Sequence, residues 1–326
     1  MSVNISSYTR LFTITLGICL LATTCIQARD IKLKDALTHF ILGGIYERNQ
    51  QIEAAISEYK KALKLDSDNV TIRLALASAY LKKNQVSQAI EELKTAIKIA
   101  PDAVEPHAVL ALLYFFQNNV AEAGKEYESA LQNAVKLDPT NVTIYKSLGL
   151  LYLQQKNFPA AEKTFKTVTE IAPQDYEAFF YLAYIVDEQK NRALAIEYLK
   201  KVIELKPDYH PALNYLGYVY VEENQNLVEA EILIKKALSL DANNGAYIDS
   251  LGWLYFKQGK LTEAIRELER AAQLLEDPVI FEHLAEAYLK IEDFNKAKEK
   301  LEKALSLAPD KGSIKEKLEL LNQKVK

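Results

Sequence analysis

The chain has 326 residues, 49% of them apolar, with only ten Gly and nine Pro, a composition that favours continuous helix over a loop-rich mixed fold. Forty basic side chains against forty-four acidic ones give a formal net charge of -4, which lacks the basic excess needed to neutralise nucleic-acid phosphates. Both cysteines, Cys19 and Cys25, precede Arg29, so the rest of the chain has no disulfide, thiolate metal site or cysteine nucleophile.

The stretch from Met1 to Ala28 has the layout of a secretory signal peptide. Met1 to Arg10 is polar with one positive charge, Leu11 to Ala22 is an apolar run of twelve, and Thr23 to Ala28 is small or polar apart from Ile26. That run is well short of the roughly 20 residues that cross a bilayer. Cleavage is expected after Ala28, with Ile26 larger than the usual Ala at the minus-three place. The alternative is lipidation at Cys25, although Ala22-Thr23-Thr24 lacks the usual Leu and small Gly or Ala. Loss of residues 1–28 removes Arg10 and no acid, leaving 39 basic against 44 acidic groups and a net charge of -5. Residues 29–35 read as a short link.

From Ala36 the sequence repeats with a period of 34. A small residue followed three later by an aromatic recurs at Gly43/Tyr46, Ala77/Tyr80, Ala111/Tyr114, Gly149/Tyr152, Gly217/Tyr220, Gly252/Tyr255 and Ala285/Tyr288, with Val186 replacing the aromatic after Ala183. A Leu precedes each small residue, and an Ala follows nine after the aromatic place at Ala55, Ala89, Ala123, Ala161, Ala195, Ala264 and Ala297, with Ala230 displaced by one. Pro101, Pro139, Pro173, Pro207 and Pro309 close several units, because proline ends one helix and opens the next unit. The spacing predicts eight units: 36–69, 70–103, 104–141, 142–175, 176–209, 210–244, 245–277 and 278–311.

This pattern resembles the tetratricopeptide repeat over about 276 of the 326 residues. The resemblance implies an all-α fold, a right-handed α-solenoid superhelix of about eight helix-turn-helix units. Each unit leaves apolar faces that only stacking can bury. The third unit carries four extra residues in its second helix, the sixth has one extra residue around Asn224 to Leu227, and the seventh is one short before Pro278. Gly312 to Lys326 places Ile314, Leu318, Leu321 and Val325 on one stripe and reads as a C-terminal capping helix.

No catalytic constellation emerges, so a non-catalytic protein with no cofactor and no metal is expected. Gly252 to Lys260 resembles a phosphate loop only superficially, since Leu261 stands where Ser or Thr is required. His39, His107, His210 and His283 fall in separate units without metal-ligand spacing and read as solvated or capping residues. Acid pairs such as Glu91-Glu92 and Glu222-Glu223 read as charged helix surface. Asn141-Val142-Thr143 matches a glycosylation sequon, relevant only in a eukaryotic host.

By the resemblance, positions 2, 5, 9, 12 and 13 of each unit line a concave groove. Its partner-binding candidates are Phe116, Phe180, Tyr184, Asp187, Tyr218, Glu222, Asp249, Trp253 and Phe256. Aromatic side chains bury large areas at low entropy cost and anchor interfaces; packing within the repeats is the competing reading for Tyr184, Tyr218 and Trp253. The acids would favour a partner segment with Arg or Lys. An acidic C-terminal tail is disfavoured, because the clamp positions of chaperone-binding members hold Phe40, Gly44, Ala75, Glu105 and Val109 here.

The expected partners are other proteins, as peptide segments or helices, with no nucleic acid, and a membrane only through the N-terminal segment if lipidated or uncleaved. The segment Ala212 to Ala271 looks like the tandem pair of exported bacterial repeat proteins. A scaffold of the periplasm or cell envelope is the reading this supports. A lipid-anchored assembly factor of the pilus or protease-adaptor kind, or an accessory subunit of a glycan-processing or export enzyme, stays open.

Overall fold

The computed structural model describes residues 29–324. The cleavage site after Ala28, lipidation at Cys25, Cys19 and the final stripe residue Val325 therefore lie outside the described residues. The described residues form seventeen helices and no strand. Helix α1 runs over 29–48. It is followed by α2 (Ile52–Leu65), α3 (Val70–Lys82), α4 (Val86–Ile99), α5 (Val104–Phe116), α6 (Val120–Leu137), α7 (Val142–Gln154), α8 (Phe158–Ile171) and α9 (Tyr176–Glu188). Then come α10 (Arg192–Leu205), α11 (His210–Glu222), α12 (Leu227–Leu240), α13 (Gly245–Lys257), α14 (Leu261–Leu274), α15 (Pro278–Lys290), α16 (Phe294–Leu307) and α17 (Gly312–Lys324). Residues 29–35, expected as a link, are instead the first turns of α1. They contain no Gly or Pro to break a helix, and Leu33 and Leu37 fall one turn apart.

The chain divides into two compact units, the first ending at Leu151 and the second beginning at Tyr152. In the first, α3 packs on α4 and α5 on α6, with α2 against α3 and α4 against α5. In the second, α9 pairs with α10, α11 with α12, α13 with α14 and α15 with α16, and α17 lies on α16. First helices there also touch the next first helices, α11 on α13 and α13 on α15.

One backbone device closes all eight pairs. After each first helix a residue adopts positive φ: Gln50, Asn84, Asn118, Lys156, Lys190, Asn224, Gly259 and Glu292. The amide of the next residue then donates to a carbonyl five back, as from Gln85 to Tyr80, Asn191 to Val186, Lys260 to Tyr255 and Asp293 to Tyr288, at 2.8–3.0 Å. This left-handed closure caps the helix C-terminus and reverses the chain. Its acceptor is always the residue at the aromatic place of the repeat, so one position supplies both the core side chain and the turn anchor. The extra residue of the sixth pair is absorbed by a second left-handed residue, Asn226 at φ 49.

Close helix crossing follows from the small residues. Ala55, Ala89, Ala161, Ala195, Ala230, Ala264 and Ala297 are fully buried on the second helices. At Gly217 a Cβ would stand 2.6 Å from Ile234 Cγ1 and 3.2 Å from the Ala230 carbonyl oxygen, so only glycine permits that approach. The two units differ at another recurring crossing between a first helix and its second. The first unit places polar pairs there: His39–Glu58, Arg73–Glu92 and His107–Glu126, each at 2.6 Å. The second places the rings of Phe179 and Tyr198 there, 6.1 Å apart. Helix α6, with 18 residues against 14 in the other second helices from α2 to α16, carries Asn133 to the Pro101 carbonyl, which accepts its Nδ2–H at 2.9 Å and also faces His107 Nε2 at 3.1 Å.

Two substitutions test this account by urea unfolding. Gly217→Ala is expected to destabilise by about 1–3 kcal/mol through overpacking against Ile234. Lys190→Gly relieves a left-handed side chain and is expected to stabilise by roughly 1 kcal/mol.

Candidate functional site

In the first unit, the last turns of α5 present Leu112, Phe115 and Phe116 at 53%, 63% and 75% exposure. The two phenylalanine rings stand edge to face, 6.1 Å apart. Helix α5 can show these side chains because its opposite stripe, Pro106, His107, Leu110 and Ala111, is the buried one. At the place of Phe116 the other seven first helices carry Arg48, Lys82, Gln154, Glu188, Glu222, Lys257 and Lys290. A phenylalanine in that place is a departure with no packing role in its own helix pair.

In the second unit the groove positions are mostly occupied by contacts within the chain. Phe180 sits edge-on to Tyr209 at 5.3 Å and to Tyr215 at 6.1 Å. Tyr184 remains exposed, with its ring 6.4 Å from Phe158. Asp187 accepts the Tyr215 hydroxyl at 2.7 Å and an ion pair from Arg192. Tyr218 is half-buried against the core of α11 and its neighbours.

Trp253 is only 5% exposed. Its ring lies flat between His283 at 4.1 Å and Phe256 at 4.7 Å, with the Lys257 ammonium 4.7 Å from the ring centroid. The indole N–H donates to Glu222 Oε1 at 2.7 Å, and His283 Nδ1 sits 2.9 and 3.1 Å from the two Asp249 oxygens. Glu282 continues the network to Lys311 and Lys317, and Lys317 also reaches Glu286 at 2.5 Å.

The structure therefore corrects three expectations. Trp253 is a packed layer between first helices and not a free anchor. The acids Asp187, Glu222 and Asp249, expected to attract basic partner residues, are engaged respectively by Arg192 and Tyr215, by Trp253, and by His283. Among the histidines expected to be solvated or capping, His107 and His283 are buried beside acids. Pairing is what makes such burial tolerable. Sequence reasoning missed most of the groove contacts because their members, apart from Asp187 and Arg192, sit about one repeat apart; testing each charged position against the next unit's equivalents is the signal that would find them.

The hydroxyls of Tyr184, Tyr215 and Tyr218 stay protonated at neutral pH. Burial raises Tyr218, with Glu222 and Asp249 adding to it. Burial, then the hydrogen bond to Asp187, raises Tyr215, and burial with the nearby Glu188 raises Tyr184. They are therefore hydrogen-bond donors, not bases. Among the described residues no group of three His, Cys, Asp or Glu converges as a metal site, and no helix is long and apolar enough to cross a membrane.

Trp253→Ala is expected to lower stability by about 3–5 kcal/mol, the cost of emptying a buried aromatic site, seen as a lower urea midpoint by circular dichroism. An unchanged midpoint would show that the ring is not packed.

Models described as tetratricopeptide repeat match residues 48–113, 109–176 and 146–210, 245–277, and 280–311, together more than half of the chain. A repeat-containing protein of Pseudomonas aeruginosa is 43% identical over 58 residues, 18% of this chain and 10% of the relative, so the match spans about a tenth of that relative's length. A crystal structure of a tetratricopeptide repeat protein from Parabacteroides merdae aligns with 77% of this chain and 98% of its own, at 20% identity and a TM-score of 0.57. A chain of an APC/C hetero-tetramer aligns with 83% of this chain and 52% of its own, at 17% identity and a TM-score of 0.56. At these identities the two structures speak for the fold alone.

Proposed function

The chain belongs to the tetratricopeptide repeat family, a class of protein–protein interaction scaffolds, and from that premise we propose that it is a non-catalytic adaptor of the cell envelope. Its principal docking site in this reading is the α5 patch of Leu112, Phe115 and Phe116. The observation that carries it is Phe116: a large ring three-quarters in solvent, at a place where every other unit has a polar or charged side chain. Large apolar groups exposed together mark interaction surfaces. A partner that presents an apolar side chain or the apolar face of a helix gains by covering them, and phenylalanine loses little rotamer entropy on doing so.

Tyr184 is the second candidate, in the other unit, where it combines exposure with a protonated hydroxyl. Phe180, Tyr218, Trp253 and Phe256 then serve as the wall that holds the concave surface in shape. Export rests on the apolar run Leu11 to Ala22 and the small residues before Arg29. Mass spectrometry of the N-terminus distinguishes a mature protein that begins at Arg29 from one that carries lipid on Cys25. A lipid-modified Cys25 would make it a tethered adaptor with the same docking patch.

The functional test is crosslinked capture from native envelopes with intact protein and a Phe115→Ala/Phe116→Ala variant. Because both rings are exposed, the variant should keep its stability within about 0.5 kcal/mol. Loss of a specific partner, with affinity reduced at least about 30-fold if the rings act as an interface hot spot, is the expected result. Unchanged capture would remove the α5 patch as the docking site.

A further inference from the structure

The repeat makes each first helix comparable with its equivalents, and α1 stands apart from them. The tenth place of each unit faces the preceding unit. It is filled by Ala79, Leu151, Ile185, Val219, Leu254 and Ala287, and in α17 by Leu321, none of them more than 8% exposed. In α5 the same place, Leu113, is partly buried. In α1 it is Ile45, at 48%. Leu33, Leu37, Ile41 and Ile45 follow one another at four-residue intervals and form a single exposed stripe, widened by Ile31 and Leu42. The side of α1 that packs into the unit, through Ala36, Gly43 and Phe40, is apolar as well. A helix with a second apolar stripe besides the one that packs into its own unit has area left for another partner to cover.

We propose that α1 is a self-association face, on which a second copy of this chain docks through its own α1 to give a closed two-fold dimer. Two observations select a second copy as the occupant, and the contacts of α11 on α13 and of α13 on α15 show that first helices of this chain can pack side by side. The charges along α1 nearly balance, with Arg29, Lys32, Lys34 and Arg48 against Asp30, Asp35 and Glu47, so the face does not strongly repel its copy. The opposite end of the chain does not match it: α17 exposes Lys315, Glu316 and Glu319 around a lone Leu320. Head-to-tail growth lacks a complementary surface there, and the isologous contact, in which one patch meets itself, is the one available. A single helix stripe offers less than the roughly 800 Å² per partner of a standard stable interface, so the dimer should dissociate in the micromolar range.

Sedimentation velocity over a micromolar concentration series tests this with the full chain, its N-terminus as the cell leaves it. The variants are Ile41→Glu/Ile45→Glu, Ile41→Ala/Ile45→Ala and, at the other end, Leu320→Glu, with circular dichroism to confirm helix content. The intact chain and Leu320→Glu should dimerise alike, the double Ala variant at least about tenfold more weakly, and the double Glu variant not at all. If the double Glu variant fails to fold, the double Ala variant carries the test, since it only shortens exposed side chains. A chain monomeric throughout, a dimer indifferent to the α1 substitutions, or assemblies that keep growing with concentration would each overturn the proposal. A monomer that binds anionic vesicles through Ile41 and Ile45 would overturn it by assigning the face to lipid.

Discussion

Everything in each repeat depends on the left-handed closure between its two helices. A residue at positive φ lets the following amide reach the carbonyl five back, satisfying a helix terminus that would otherwise need water. Once the reversal is fixed, the second helix can lie only along one face of the first. The fully buried alanines then meet the small residue of the first helix. The acceptor carbonyl belongs to the residue whose side chain fills the adjacent groove, so backbone closure and core packing are coupled at one position. Gly259 is the single glycine among the closure residues. Every other pair carries the conformational cost of a left-handed side chain, which implies that its packing exceeds that cost.

The two compact units solve the same crossing with different chemistry. Polar pairs between His39 and Glu58, Arg73 and Glu92, and His107 and Glu126 make the first unit's helix pairs directional, since each needs its partner atoms aligned. In the second, the equivalent place of the α9–α10 pair holds the rings of Phe179 and Tyr198, a contact with looser geometric demands. The same division shows on the surface. The first unit leaves Leu112, Phe115, Phe116 and the α1 stripe uncovered, while the second ties its groove acids to its own Arg192, Trp253 and His283. One unit leaves apolar area uncovered; the other commits its groove acids to internal order.

The fold was legible because its rules are local. The three-residue interval from Gly217 to Tyr220, or from Gly252 to Tyr255, reflects one helix turn, and eight in-register copies leave no other period. The state of each groove side chain was not legible by the same means. Whether Trp253 is an anchor or a wall depends on Glu222 in the preceding repeat and on His283 in the following one, and so on how far successive first helices rotate. That rotation is set by packing of whole units and has no short sequence signature. Phe116 was legible from its repeat position, and comparing the thirteenth place across units sets it further apart, among Arg48, Lys82, Glu188 and Lys257.

The sandwich around the sole indole has an optical consequence. Because Trp253 lies among α11, α13 and α15 of the second unit and the chain has no other tryptophan, ultraviolet emission excited at the red edge reports on those repeats alone. The first unit is silent in that channel. A solenoid stabilised by neighbour terms can lose its ends one repeat at a time, and comparing indole emission with whole-chain ellipticity would show which end frays first without any label being attached.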